Sequence, residues 1–213
     1  MITVIGSLKG GSGKSTIAFN LAVWLAYAHQ RVLAIDADPQ ATLTDVVEVR
    51  EEEGFEPPVE LGHKELLWYP EKLSEYDEVL VDVGTADLES LKQAIRVADR
   101  ILVPVPPSQA DIWSTQRFLR LIAAVSESRD RPPEVLAFIN RADTNPTVRE
   151  SDEAAAALVS LPGVHFIKAR LAQRTAFRRS FSEGLAVFEL DPRSKGAQEW
   201  NTLAAVLYPH VLS

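Results

Sequence analysis

Short β-branched runs alternating with longer stretches of helical periodicity constrain this chain more than any other feature. Ile2–Ile5, Arg31–Ile35, Glu78–Val81, Ile101–Val105, Val135–Ile139 and a weaker Val164–Ile167 read as strands. The second and third of these are apolar enough to be buried on both faces. Helical patterns fall near Lys14–His29, Leu88–Ala98, Asp111–Ser126, Thr147–Ser160, Gln173–Glu183 and Ser194–Leu207. Pro104, Pro106 and Pro107 are expected to close the strand at Ile101, and Pro132 and Pro133 mark a turn before Glu134. Such alternation predicts an α/β fold: a mostly parallel β-sheet flanked by helices on both faces and joined by right-handed crossovers. Ligands bind such sheets at the carboxyl ends of the strands, so functional loops are expected after Ile5, Ile35, Val83, Val105 and Ile139. The Glu-rich, Pro-containing segment Glu51–Pro58 reads as a loop interrupting the pattern, and no internal repeat is present. One domain over residues 1–213 is expected.

The loop after the first strand reads Ser7-Leu8-Lys9-Gly10-Gly11-Ser12-Gly13-Lys14-Ser15-Thr16. Glycines let the backbone curl so that successive N–H groups grip phosphate oxygens, and the helix that follows aims its positive end at the same anion. Lys14 supplies a charge for the terminal phosphates, and the Ser15 hydroxyl can join a Mg²⁺ shell. The ordinary P-loop pattern places glycine where Leu8 stands. A plain glycine turn does not account for Lys14-Ser15 directly after Gly13. Lys9 would crowd Lys14 if both served the same phosphates, so reaching nucleotide held by a second copy suits it better.

Asp36-Ala37-Asp38-Pro39-Gln40 directly follows the second strand. One carboxylate there could orient Mg²⁺-bound water and another could hold an attacking water, because positioning and charge neutralisation dominate phosphoryl transfer. Asp82, ending the third strand, has the form of a Mg²⁺-shell carboxylate. Gly84 would let backbone approach the terminal phosphate. Asn140-Arg141 ends the fifth strand, where a base could be read by the amide with the guanidinium plane stacked on it. Pro104–Pro107 and Ser108-Gln109-Ala110-Asp111 could belong to the nucleotide pocket or a dimer edge. The histidines at 29, 63, 165 and 210 show no ligand spacing, and the sequence leaves Trp68 and Tyr69 open between core and partner surface.

There is no cysteine, which excludes a disulfide scaffold, a thiolate nucleophile, a Cys-ligated zinc and a Cys-held iron–sulfur cluster. The glycine-rich start does not read as a signal peptide, and no run approaches the ~18 apolar residues of a spanning helix. A cytoplasmic protein is expected. The formal charge is −8, which at first argues against nucleic acid. Its distribution reverses that inference. Residues 51–90 hold 13 acidic and two basic side chains, whereas residues 154–182 hold no acid and five bases. Arg170, Arg174, Arg178 and Arg179 are the candidates for DNA contact, Arg174 and Arg178 sharing a helix face.

The combination Lys9-Gly10-Gly11-Ser12-Gly13-Lys14-Ser15-Thr16, Asp36-Ala37-Asp38-Pro39-Gln40 and Val81-Asp82 resembles the deviant Walker-A ATPases of the ParA/MinD group, over nearly the whole chain. The start at Ile2 without a preceding helix-turn-helix domain, Arg170–Phe177 and Val187-Phe188-Glu189 look like its small plasmid-type (ParF-like) members. The resemblance implies a P-loop NTPase fold, ATP and Mg²⁺ as ligands, and a nucleotide-sandwich homodimer in which Lys9 contacts the partner subunit's phosphates. It implies Asp38 as the water-positioning residue and Lys9, Lys14 and Asp38 as the catalytic set. Gly10 to Thr16 with Asn140 and Arg141 would hold nucleotide, and Ser15, Asp36 and Asp82 the metal. It further implies non-specific DNA binding by the ATP-bound dimer, on the nucleoid, and release by a cargo-bound activator of the ParB/ParG kind. Val83-Gly84-Thr85 departs from the small or Pro-containing residues common after that aspartate.

A MinD-like membrane cycle would need a basic amphipathic C-terminal helix, and no Lys or Arg follows Lys195, so stable membrane association is not expected. A small-molecule kinase would not need Lys9. A nucleotide-gated scaffold without hydrolysis would follow if Asp38 were misplaced. Positioning of a protein assembly is a further alternative to segregation of plasmid or chromosomal DNA.

Overall fold

The computed structural model describes residues 1–145 and 147–211. Seven strands form one parallel sheet: β1 (Ile2–Ile5), β2 (Val32–Ala37), β3 (Glu60–Gly62), β4 (Glu78–Val83), β5 (Arg100–Val105), β6 (Glu134–Ile139) and β7 (His165–Ile167), in the spatial order β3-β2-β4-β1-β5-β6-β7. The helices are α1 (Lys14–Tyr27), α2 (Thr42–Glu52), α3 (Leu88–Val97), α4 (Gln109–Ser126), α5 (Glu150–Val159), α6 (Thr175–Ser182), α7 (Val187–Leu190) and α8 (Lys195–Leu207). The expected α/β architecture is present, with β3, α2 and α7 added to it. β3 and α7 are short, and Thr42–Glu52 is mostly polar although its Leu43, Val46 and Val47 stand at helical spacing and are the face it buries.

Side chains on a strand alternate between faces, and here each face has its own core. Val79, Val81 and Val83 of β4 pack with α3, α4 and α5, whereas Leu80 packs with α1, α2 and α8. Asp82 therefore projects on the α1 side. On β2, Leu33, Ile35 and Ala37 join the first core and Ala34 the second, which puts Asp36 on the α1 side too. The register sets Asp36 opposite Asp82. Both strands run two residues further than the apolar runs, so Asp36 lies within its strand rather than after it, and Asp82 lies in the strand it was expected to end. The polar side chains had masked the continuation.

Pro104 does not close β5; it lies inside it, opposite Phe138. Pairing with β1 stops at Leu102, where the chain of β1 leaves for the glycine loop, so Pro104 lies beyond that ladder.

The central helix α1 is buried nearly all round. Its Asn20, fully buried, donates to Thr16 O at 2.8 Å and accepts from the Val187 N–H at 2.8 Å. Arg50 of α2 is 1% exposed and forms a two-pronged ion pair with Glu189, each N–O distance 2.9 Å; it also donates to Gly184 O and Pro57 O. These bonds fasten α2, which follows the Asp36–Asp38 loop, to α7. At the far end of the sheet, Arg100 donates to Thr3 Oγ1 and Leu207 O beneath the Tyr208 ring, tying down the end of α8.

Removing one partner of a buried ion pair strands the other charge. Glu189→Ala should cost about 3–5 kcal/mol of stability, read as a lowered urea midpoint with the slope unchanged.

Candidate functional site

The loop between β1 and α1 curls through left-handed backbone at Gly11 (φ 76°) and Gly13 (φ 93°). A Cβ at Gly11 would meet no heavy atom within 4 Å, so that glycine serves backbone shape alone. Gly13 serves both shape and space: a Cβ there would stand 2.5 Å from Asn140 Nδ2. The loop is braced internally by the Ser7 hydroxyl, 2.9 Å from Lys9 O and 2.9 Å from Ser12 Oγ.

Lys14 opens α1 and is buried, with Nζ 3.5 Å from Lys9 O. Burial lowers its pKa, and the charges of Asp82 and Asp38 work in the opposite direction. Asp82 is fully buried, and neither carboxylate oxygen has a hydrogen-bond partner of proper geometry. Burial pushes its carboxyl up to about 7; the nearby Ser15 hydroxyl and Lys14 oppose the rise, and Asp36 and Asp38 add to it. An orphaned buried carboxylate beside a hydroxyl and an ammonium suits a divalent cation with a polyphosphate. Ser15, Asp82 and Asp36 are thus the residues that could hold Mg²⁺ or its water shell, with Lys14 and the loop N–H groups holding phosphate.

Asp36 is fixed at both oxygens. Oδ1 accepts from the Asp38 N–H at 3.0 Å, and Oδ2 accepts from the Thr44 N–H at 2.8 Å and its hydroxyl at 3.0 Å. Thr44, on the first turn of α2, was missed from sequence because that helix was. Asp38 accepts the Gln40 N–H through Oδ1 at 3.0 Å. Its carboxylate lies directly on Gly84: a Cβ there would come within 2.5 Å of Asp38 Cγ and Oδ1. Gly84 was expected to admit phosphate to the backbone. In this structure its missing side chain makes room for Asp38. The segment after it is pinned by Lys64, whose Nζ is 2.8 Å from Asp87 Oδ2 and, with Ser90, holds the Asp87 carboxyl well below the usual range. A cavity of about 360 Å³ adjoins these groups, lined in part by Asp36, Asp38, Thr44, His63 and Lys64.

Asn140 is turned differently from the expectation that its amide reads a base. Nδ2 donates to Ser12 O at 2.7 Å, so the end of β6 clasps the glycine loop. It still borders, with Arg141, a cavity of about 300 Å³ that also touches Gly13, Thr16, Gln173 and Arg178. None of Asp36, Asp38 and Asp82 lines that cavity, and it could take a nucleobase.

The arginines are less available than the acid-free stretch implied. Arg170 pairs with Asp152 at 2.9 Å, Arg174 grips Glu199 at 2.5–3.1 Å, and Arg179 pairs with Glu183 at 2.9 Å. Folding imports carboxylates from α5, α8 and the end of α6. Arg178 is exposed and makes no ion pair among the described residues. Trp68 and Tyr69 are exposed rather than core, 46% and 50%. Among the described residues no group of three or more His, Cys, Asp or Glu side chains is arranged to hold a metal ion.

A glycine loop closed by Lys14, at the carboxyl end of the central parallel strand β1, with carboxylates from the adjacent β4 and from β2 beyond it, is the arrangement of a P-loop nucleotide-binding protein. The sequence matches the CobQ/CobB/MinD/ParA nucleotide binding domain over residues 3–187, and the chain belongs to that family. It is 28% identical over 200 residues to the maintenance of carboxysome distribution protein A of Halothiobacillus neapolitanus, covering 92% of this chain and 90% of that protein. It is 28% identical over 190 residues to protein ParA of Rhizobium radiobacter, covering 86% and 83%. The fold superposes on septum site-determining protein MinD complexed with Mg-ADP, from Pyrococcus horikoshii OT3, with TM-score 0.74 at 20% identity, over 97% and 95% of the two chains. The protein is an ATPase of the ParA/MinD partition and positioning class.

Two outcomes follow from this geometry. Gly84→Ala should displace the Asp38 carboxylate; with Asp38 in the water-orienting role expected of it, ATP turnover should fall by up to about 100-fold, which a misplacement near 1 Å can cost, with nucleotide affinity little changed. Asp82 governs a pH response. Its folded value of about 7 against an ordinary 3.8 means that folding takes up a proton between the two. This group therefore makes stability fall as pH rises through that window. Without nucleotide or divalent cation, Asp82→Asn should raise the melting midpoint more at pH 7.5 than at pH 5.

Proposed function

We propose that residues 1–213 work as one ATPase unit that binds ATP–Mg²⁺ through Lys14, the Gly10–Thr16 loop, Ser15, Asp36 and Asp82, with Asp38 orienting the attacking water. Two loaded copies pair face to face, each Lys9 reaching the other's phosphates. The pair binds DNA non-specifically on the nucleoid in the cytoplasm, and a cargo-bound activator of the ParB/ParG kind triggers hydrolysis and release. Repeated cycles segregate or position plasmid or chromosomal DNA.

The observation that carries this reading is the contrast between the two lysines of one loop. Lys14 is buried against its own carboxylates, whereas the Lys9 side chain is 47% exposed on the rim. A single subunit gives Lys9 no phosphate that Lys14 does not already serve. The cargo has a second reading, a protein assembly, favoured by the carboxysome-distribution relative that covers 92% of the chain. The helix α8 spends its apolar face, Trp200, Leu203 and Leu207, in the core, so that helix itself offers no apolar face to a membrane. None of the described helices is long and apolar enough to cross a membrane. The C-terminal stretch read from sequence includes Leu212 and Ser213, which lie outside the described residues.

Lys9→Ala should abolish the ATP-dependent dimer in light scattering while weakening monomer nucleotide binding less; an undiminished dimer removes the trans role. Asp38→Ala should accumulate a hydrolysis-dead dimer, and normal turnover in that variant removes Asp38 from catalysis. DNA retention by the ATP form should fall with salt, and Arg178→Ala should reduce the log–log salt slope by about 2 per dimer, one phosphate contact per subunit. Retention on liposomes instead of DNA would favour the membrane cycle.

A further inference from the structure

Asp111 is a buried carboxylate that the ATP-binding groups above do not use. It sits on the first turn of α4, 5% exposed, in the segment that follows β5. One oxygen, Oδ1, lies 3.0 Å from Lys9 Nζ. The other accepts a short hydrogen bond from the Ser108 hydroxyl, which in turn accepts the Asp111 N–H at 3.2 Å. The Thr115 hydroxyl donates to the Asp111 carbonyl, not to the carboxylate. Among the described residues Lys9 is its one paired cation, supplemented by the positive end of α4. The ammonium that faces solvent at the rim of the phosphate loop is thus held on its own subunit.

We propose that Asp111 is the positioning residue for Lys9, keeping it on its own subunit until a second copy presents enough phosphate charge to take it. This rests on the reading that Lys9 acts across a pair. In this proposal the Lys9–Asp111 contact opens when the pair forms, because Lys9 leaves its own rim to reach phosphates on the other copy. Opening leaves a buried carboxylate without its cation, which is unfavourable. The competing anion therefore has to be stronger than Asp111 in its setting. A triphosphate presents more charge than a diphosphate, so the contact sets a threshold that ATP passes and ADP does not. A ligand shifts such an equilibrium only by its differential affinity for the two states, and the Lys9–Asp111 contact is a cost of pairing that this difference must exceed.

The test compares wild type with Asp111→Asn, which preserves shape and the link to Ser108 but removes the charge. Affinity of the monomer for a fluorescent ADP analogue should be unchanged. The ATP concentration for half-maximal pairing should fall about fivefold, the low end of ordinary coupling, and pairing should begin to appear with ADP. Acylation of Lys9 in the nucleotide-free protein, mapped by mass spectrometry, should speed up. Pairing at the wild-type ATP concentration, or weaker pairing, overturns the proposal. If Asp111→Asn fails to fold, wild type alone decides. Its Lys9 should acylate more slowly than the exposed Lys195 at low salt and catch up as salt rises; equal rates throughout overturn it. Lys9→Ala separates the two ideas. Persistent ATP pairing in that variant defeats the trans reading itself, whereas lost pairing with an unchanged Asp111→Asn defeats only the Asp111 proposal.

Discussion

Parallel pairing of β2 against β4 sets Asp36 opposite Asp82, with both side chains on the α1 side of the sheet. Neighbouring strands stand about 4.8 Å apart, so two carboxylates are confined close together at the edge of a dry core. The remaining features of the site answer that confinement. Lys14 is brought in by the first turn of α1, Thr44 and the Asp38 N–H saturate Asp36, and Asp82 stays unpartnered with its proton held up to about 7. A site that keeps an unsatisfied buried carboxylate is poised for a cation. Binding Mg²⁺ with a polyphosphate would relieve the penalty that folding incurs there.

The surrounding loops are held by contacts that span distant parts of the chain. Asn140 from β6 clasps Ser12, Lys64 pins Asp87 after β4, and Arg50 fastens α2 to α7. Each joins a segment near the nucleotide loops to an element on another strand or face. The Asp36–Asp38 loop is thus linked through α2 and the Arg50–Glu189 pair to α7, which packs against α6.

Charge shows how sequence and fold divide the work. Counting along the chain suggests a DNA-binding stretch at residues 154–182, since no acid interrupts five bases. The fold pairs Arg170, Arg174 and Arg179 with Asp152, Glu199 and Glu183, of which only Glu183 is close in sequence. A single subunit thus presents less net positive surface than its sequence suggests.

The class of fold, the phosphate loop and the carboxylates were legible along the chain because each is local: glycine torsions, Lys14 at a helix start and hydrophobic runs ending in Asp depend on near neighbours. The edge strand β3 and helix α2 were not, since their polar sequences acquire structure from what they pack against. Tertiary structure alone decided that Asn140 braces the glycine loop, that Gly84 is small to admit Asp38, and that Lys9 rests on Asp111. These pairings join residues brought together only by strand order and register. Sequence by itself determined which chemistry is present, because backbone shape and charge type are properties of short segments. Which charges meet was left to the fold, because electrostatic contact depends on distance in space and not along the chain.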